Sequence, residues 1–462
     1  MILKTSLIDI GAYAPITNDY SKTDFGTDFV WGVSSSAHQT EGAHLADGKG
    51  PSIWDDFSNK RGSIADNANA NDACLFYYSF EEDLRLMREL GIKNFRFSIS
   101  WSRILPHGTG EINYLGVSFY HRLIDACLEN GIEPWITLYH WDLPLALERK
   151  GGWANREIIH WFEEYAMLCG KLFGDRVKNW MVLNEPMVFT GAGYFFGVHA
   201  PGKKSMKAFL ASVHHATLCQ AIGGRAIRYT VRNARIGTTI SCSHITPRRE
   251  NAADIKSATK VDALLNRLFV EPFLGLGYPT HDLPGLNLIE KYMKPGDDQR
   301  MVFNFDFLGI QNYTREIVQY SMFTPIVRAK IIPAEKRKAN LTAMKWEIYP
   351  EGLYEMLLKF SKYDGIKELI VTENGAAFED SADGKIIKDT KRMKYLDDHL
   401  YQVQRAQRDG ANVKGYFVWT LMDNFEWAEG YRPRFGLIYV DFKTQKRYFK
   451  HSALWYAEFL AS

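Results

Sequence analysis

The 462-residue sequence has no strong charge of either sign, few cysteines, no long apolar run and no linker-like tract. Basic and acidic side chains number 56 and 54, a formal net charge of +2 spread along the chain. A dedicated nucleic-acid binder would show a clustered basic excess, so no nucleic-acid partner is expected. The five cysteines (Cys74, Cys127, Cys169, Cys219 and Cys242) are odd in number and include no C-x-x-C pair. That excludes a disulfide framework and predicts reduced thiols in a cytosolic protein. No run approaches the ~18 apolar residues of a membrane span, and Asp9 and Gly11 break the N-terminal apolar stretch too early for a signal-peptide core. No membrane partner is expected, and the oligomeric state stays open. What is plentiful is apolar and flat: 46% hydrophobic residues and 14% aromatic, with 12 Trp and 24 Tyr. Such a composition fills a large core and offers faces on which sugar rings stack.

One local theme recurs along the chain: an amphipathic helix, a glycine, then a short apolar strand. Phe76, Phe80, Leu84 and Met87 fall at helical spacing before Gly91 and Phe95–Ile99. Leu123, Ile124, Cys127 and Leu128 precede Gly131 and Ile136–Tyr139. Ile158, Trp161, Phe162, Tyr165 and Leu168 lead through Gly174 to Trp180–Leu183. Leu353, Leu357 and Phe360 lead through Gly365 to Leu369–Thr372, and Met393, Leu396, Leu400 and Val403 through Gly410 to Tyr416–Trp419. Glycine in the left-handed conformation ends a helix, and an uninterrupted apolar strand implies burial on both faces, as in a parallel sheet. With Phe29–Trp31, Ile236–Ile240 and Phe307–Ile310 the strands number eight, the count that closes a (β/α)8 barrel. An open doubly wound sheet is the competing architecture. The stretches 244–305 and 314–366 read as insertions that deepen a pocket.

Barrel enzymes carry their chemistry at the C-terminal strand ends. Here those ends bear Gln39 and Glu41, Arg96 and Trp101, His140-Trp141-Asp142, Asn184-Glu185-Pro186, Gln311-Asn312-Tyr313, Glu373-Asn374-Gly375, and Trp419 with Asp423-Asn424-Phe425-Glu426-Trp427. A glutamate that ends an apolar strand is costly unless a partner or a reaction holds it. Glu185 and Glu373, on the fourth and seventh strands, would project across one mouth. Two facing carboxyls at roughly 5 Å perform double-displacement glycoside hydrolysis, and at ~6.5–9.5 Å they invert. Spacing along the chain leaves both open, as it does a purely structural ion pair with Arg96.

Thr372-Glu373-Asn374-Gly375, Asn184-Glu185-Pro186, Tyr139-His140-Trp141-Asp142-Leu143-Pro144 and Phe95-Arg96-Phe97-Ser98-Ile99-Ser100-Trp101 resemble the signatures of the family 1 β-glycosidases. Phe29-Val30-Trp31-Gly32, Gln39-Thr40-Glu41-Gly42 and Asp423–Trp427 extend the resemblance, in order, from about Phe25 to Tyr456. It implies an α/β fold, a single (β/α)8 TIM barrel with long βα-loop insertions over residues 25–462, preceded by an extension 1–24 that matches nothing and reads as a lead-in. It implies a retaining β-glucosidase that needs no cofactor or metal and acts on terminal non-reducing β-D-glucosyl residues of β-glucosides and cello-oligosaccharides. Side activity on galactosides and fucosides, and transglycosylation, are within its compass. Carried over by position, Glu373 is the nucleophile, Glu185 the acid/base and Arg96 the support of the nucleophile. Gln39, His140, Asn184, Tyr313, Trp419, Glu426 and Trp427 hold the sugar, with Trp346 and Trp141 as walls toward the leaving group. Trp54 and Phe435 are further candidates for the pocket or the core.

The chain also departs from the family. Gln311 replaces an asparagine, which puts its ligand role in doubt, and Met187 stands where many members have tryptophan, which predicts a softer, wider wall toward the leaving group. A 6-phospho-β-glycosidase is the nearest rival, although Glu426 occupies the place of its usual serine. A catalytically dead sugar binder is another, although both glutamates are present. His214 and His215 are adjacent on a predicted helix, so their side chains diverge by about 100° and do not form a zinc-binding face. Asn312-Tyr313-Thr314 and Asn340-Leu341-Thr342 match the glycosylation pattern by chance.

Overall fold

A computed structural model describes residues 18–380 and 387–462. Eight strands form a closed barrel: β1 (Val30–Ser34), β2 (Asn94–Ser98), β3 (Glu133–Tyr139), β4 (Asn179–Asn184), β5 (Arg235–Ser241), β6 (Phe307–Gln311), β7 (Leu369–Asn374) and β8 (Val413–Trp419). Every neighbouring pair is parallel, and β1 closes the cylinder by pairing Val30 through Ser34 with Gly415 through Trp419 of β8. The open sheet is thereby excluded. Helices alternate with the strands: α1 (Phe76–Glu89), α2 (Tyr114–Glu129), α3 (Ile158–Phe173), α4 (Met206–Thr230), α5 (Ala252–Asp262), α6 (Glu351–Ser361), α7 (Thr390–Arg408) and α8 (His451–Ala461). Inside the barrel Trp135, Met181, Phe307, Ile370 and Phe417 pack into an apolar plug, so the cylinder is a filled core rather than a pore.

The helix faces follow the apolar spacing with one exception. Leu128, expected inward, lies exposed near the end of α2, where Leu123, Ile124 and Cys127 already fill the inner face. The glycine stops divide into two kinds. Gly91, Gly131, Gly365 and Gly410 take φ values from +69° to +96°, where a side chain would be strained. Gly174 does not: its φ is −71°. A Cβ there would stand 2.4 Å from Val231 Cγ2 and 2.4 Å from the Gly170 carbonyl oxygen, so close approach, not handedness, demands glycine.

The two long insertions meet. Strand His244–Pro247 pairs in parallel with Arg315–Tyr320, which pairs antiparallel with Ala329–Ile331, and α5 packs Ala258 and Val261 against Val318 and Ala329 of this small sheet. It stands beside the barrel mouth, after β5 and β6. Of the extension 1–24, residues 1–17 lie outside the described residues. The rest is tied down: Asn18 Nδ2 and Tyr20 Oη donate to the Asp397 carboxylate at 2.7 and 2.9 Å, and Lys22 Nζ to the Leu460 carbonyl at 2.5 Å. No helix among the described residues is long and apolar enough to cross a membrane.

Candidate active site

A cavity of about 320 Å³ opens at the C-terminal ends of the strands, and both Glu185 and Glu373 line it. Glu185 follows β4 directly, where Pro186 starts a short helix, Pro186–Thr190. Its φ is +46°, and Trp141 and Trp427, also on the cavity wall, have φ of +78° and +48°. Strain of this kind persists only where the surroundings over-determine it. Here the Glu185 amide donates to the Thr239 carbonyl at 2.9 Å, and Trp141 Nε1 donates to the Asn184 carbonyl at 2.9 Å.

Glu373 lies within β7, 3% exposed. The Arg96 guanidinium, fully buried on β2, pairs with its Oε1, and Tyr313 Oη donates to its Oε2 at 2.7 Å. Arg96 also donates to Asn184 Oδ1 and, through Nε, to Thr137 Oγ1 at 3.1 Å, so one cation spans β2, β3, β4 and β7. Burial raises the affinity of both carboxyls for a proton, but their surroundings then diverge. At Glu373 the charge of Arg96 and the hydrogen bonds from Arg96 and Tyr313 oppose the rise. At Glu185 the charge of Glu373 adds to burial, and Ser241 and Arg96 offset it only in part, so this carboxyl is pushed well above the usual range. The pair therefore holds its shared proton on Glu185, with Glu373 the more readily ionised.

The remaining predicted residues fall into two layers. His140, Tyr313, Trp346, Trp419, Glu426 and Trp427 line the cavity, together with Trp141 and Phe435. The His140 ring stacks between Trp419 and Trp427, at 5.9 Å from each. Burial and Arg96 push its pKa well down, so it is neutral. Glu426, half-buried, is pushed up to about 8, first by burial and then by the charge of Glu373. Gln39, Asn184 and Arg96 stand one hydrogen bond behind the wall. Gln39 is fully buried, accepting from Ser36 Oγ at 2.7 Å and donating to the Phe425 carbonyl at 2.9 Å and toward Glu426 Oε2 at 3.3 Å. Asn184 Oδ1 accepts from Arg96, from Gln311 Nε2 at 2.8 Å and from Thr239 Oγ1 at 3.0 Å, which leaves its Nδ2 facing His140 Nε2 at 3.0 Å. Gln311 thus has a task that its departure from the family pattern did not suggest: it orients Asn184.

Other residues singled out in the sequence fall away from the cavity wall. Trp101 is core, stacked on Tyr165 at 4.5 Å with its Nε1 donating to the Gly108 carbonyl. Trp54 stands behind Trp427, centroids 4.6 Å apart, and does not line the cavity. Met187 is also off the wall, because the turn of helix at Pro186 presents Val188 instead. Glu41 is consumed by Arg103 and Tyr120, at 2.8 and 2.6 Å. His214 contacts Tyr278 and Asp297, whereas His215 contacts the Trp153 carbonyl, so the two rings serve separate packing contacts. Asn312, in one of the two glycosylation-like triplets, is fully buried. The wall also contains residues that no motif announced: His199, Ser241, Cys242, Ser243, Met344 and Glu316. The loops after β5 and β6 deliver four of them, and only their clustering in space sets them apart.

The model of glycosyl hydrolase family 1 matches residues 21–462. β-Glucosidase A of Acetivibrio thermocellus is 43% identical over 450 residues, 95% of this chain and 98% of that one. A 6-phospho-β-glucosidase of Bacillus subtilis is 36% identical over 452 residues, 94% of this chain and 97% of its own. The solved structure of a β-glucosidase from Thermotoga maritima in complex with deoxynojirimycin superposes with a TM-score of 0.90 at 41% identity, covering 94% of this chain and 98% of that one.

Proposed function

The chain belongs to glycosyl hydrolase family 1, and from that premise we propose that it is a retaining β-glucosidase acting on terminal β-D-glucosyl residues, short cello-oligosaccharides included. One observation carries the reading: Glu185 and Glu373 share a single cavity in which their surroundings separate an acid from a carboxylate. Glu373, drawn toward its ionised form by Arg96 and Tyr313, attacks the anomeric carbon. Glu185 gives its proton to the departing oxygen, and a glycosyl ester forms on Glu373. Esterification removes the negative charge that helped keep Glu185 protonated. Glu185 then takes a proton from water, whose oxygen attacks the same carbon and releases sugar with the original anomeric configuration. An acceptor alcohol in place of that water gives transglycosylation.

In this reading His140, Glu426 and Trp427 grip the glucosyl hydroxyls, Trp419 lies under the ring, and Tyr313 divides its role between sugar and nucleophile. Gln39 and Asn184 orient these groups from behind while reaching the sugar with any remaining valence. Trp346 forms the wall toward the leaving group. The catalytic unit is the barrel, residues 25–462, and the free thiols of all five cysteines support a reducing, cytoplasmic setting. Plain glucosides are favoured over 6-phosphoglucosides because, among the described residues, the cavity wall carries five glutamates and no lysine or arginine. A phosphate dianion would enter with no counter-charge on that wall.

The test is a rate panel of nitrophenyl β-glycosides and cello-oligosaccharides with proton NMR of the first-formed sugar. Initial release of β-glucose is expected. Initial release of α-glucose, or faster turnover of the 6-phosphoglucoside than of the glucoside, would contradict the proposal.

A further inference from the structure

The small sheet built by the two insertions puts a carboxyl group on the cavity wall that the double displacement does not use. Glu316 sits on strand Arg315–Tyr320, in register with Ile245, two residues beyond the cavity-lining Ser243. It is half-buried, and its carboxyl makes no hydrogen bond or ion pair with any described residue, although its chain neighbour Arg315 is paired with Glu347. Arg315, its neighbour in the chain, and Arg337, whose charge reaches it, are both engaged by Glu347. A polar group that faces a cavity without a partner in the protein is available to whatever enters the cavity.

The placement also says which part of a substrate it meets. Glu185, which must face the departing oxygen, has Ser241 beside it and Val188 one short turn on. The leaving group therefore lies over the ends of β4, β5 and β6. Of the glucosyl grips, Trp419, Glu426 and Trp427 come from the end of β8 and the loop after it, across the barrel from β4, and His140 follows β3, on the side of β4 away from β5 and β6. Glu316 extends from the β6 side, beyond Thr314. Resting on the β-glucosidase reading, we propose that Glu316 is a specificity-determining residue of the leaving-group site, accepting hydrogen bonds from hydroxyls of a second sugar and thereby favouring saccharide over hydroxyl-free leaving groups. Burial, together with the charge of Glu347 and against that of Arg337, holds its carboxyl at about 7, so near neutrality a large fraction is ionised and accepts strongly.

The experiment compares cellobiose with cyclohexyl β-D-glucoside, whose leaving alcohol is also poor and needs Glu185 but carries no hydroxyl for Glu316 to accept from. In E316A, kcat/KM for cellobiose is expected to fall about tenfold, the loss of one hydrogen bond to a charged acceptor, while the value for the cyclohexyl glucoside stays within about twofold. E316Q, which retains an accepting oxygen without the charge, is expected to fall between E316A and the unsubstituted enzyme on cellobiose. Equal losses on both substrates would mean a structural or general catalytic role and overturn the proposal, as would no loss on cellobiose. Turnover of p-nitrophenyl β-glucoside by the unsubstituted enzyme is measured alongside. Its absence would indict the β-glucosidase reading itself, whereas its presence with an unchanged substrate ratio would indict only the role of Glu316.

Discussion

Replacing Tyr313 with phenylalanine removes a single oxygen from the site and tests how the nucleophile is held. The phenol donates to Glu373 Oε2 at 2.7 Å, and burial, then the charge of Glu373, keep it protonated by pushing its own pKa well up. A hydrogen bond to a charged acceptor contributes about 1.5–3 kcal/mol. At 1.36 kcal/mol per unit this corresponds to about one to two pKa units. The sign follows from which form is bound: Tyr313 stabilises the carboxylate, so its loss favours the protonated acid and raises the pKa of Glu373. Because the free enzyme must present an ionised Glu373, the acid limb of kcat/KM against pH should move to higher pH by about one to two units. Arg96 stays paired with Oε1, which keeps the shift from growing larger. The ring contacts with Trp346 at 5.3 Å and Phe435 at 6.3 Å survive in phenylalanine, so thermal stability should change little. The assay is initial rates on a nitrophenyl β-glucoside across the pH range, with a melting curve as control. An acid limb that stays in place, or moves to lower pH, would refute the reasoning.

Three further outcomes are expected. Glu373→Ala should abolish turnover, and added azide should partly restore it with inverted product, read by NMR of the glycosyl azide; an active Glu373→Ala enzyme would remove the nucleophile from that position. Glu185→Gln should slow glycosides of poor leaving groups by about 10²–10⁴-fold, the usual weight of general acid catalysis, while a dinitrophenyl glucoside still glycosylates the enzyme rapidly; equal losses across leaving groups would count against the acid role. Gly174→Ala should cost about 1–3 kcal/mol in denaturant unfolding, the range for overpacking. Combining it with Val231→Ala should recover part of that cost in a double-mutant cycle, and strict additivity would show that Val231 is not the obstacle.

The barrel was legible because each strand is an apolar run buried on both faces, and such runs look alike wherever they occur. Phe95–Ile99 and Trp180–Leu183 could be located to within a residue or two, as could the glutamates that follow or end β4 and β7. The layer behind the wall was harder. Gln311 showed its departure from a pattern but not its bond to Asn184, which depends on β4 and β6 both facing Thr239 of β5. Trp101 and Trp54 belong to motifs that reach the site, yet a tryptophan carries the same letter whether it stacks on a ligand or on Tyr165. Loop residues were the least legible. Whether Met187 or Val188 meets the cavity is decided by one turn of helix. Glu316 reaches the wall only because two segments about 70 residues apart in the chain pair as one small sheet.

The most direct test of the central claim is to trap the glycosyl ester. Incubation with 2-deoxy-2-fluoro-β-D-glucosyl fluoride should inactivate the enzyme with one equivalent of bound fluoroglucosyl, and peptide mass spectrometry should place that mass on Glu373. A label on any other side chain, or inactivation without covalent mass, would contradict it.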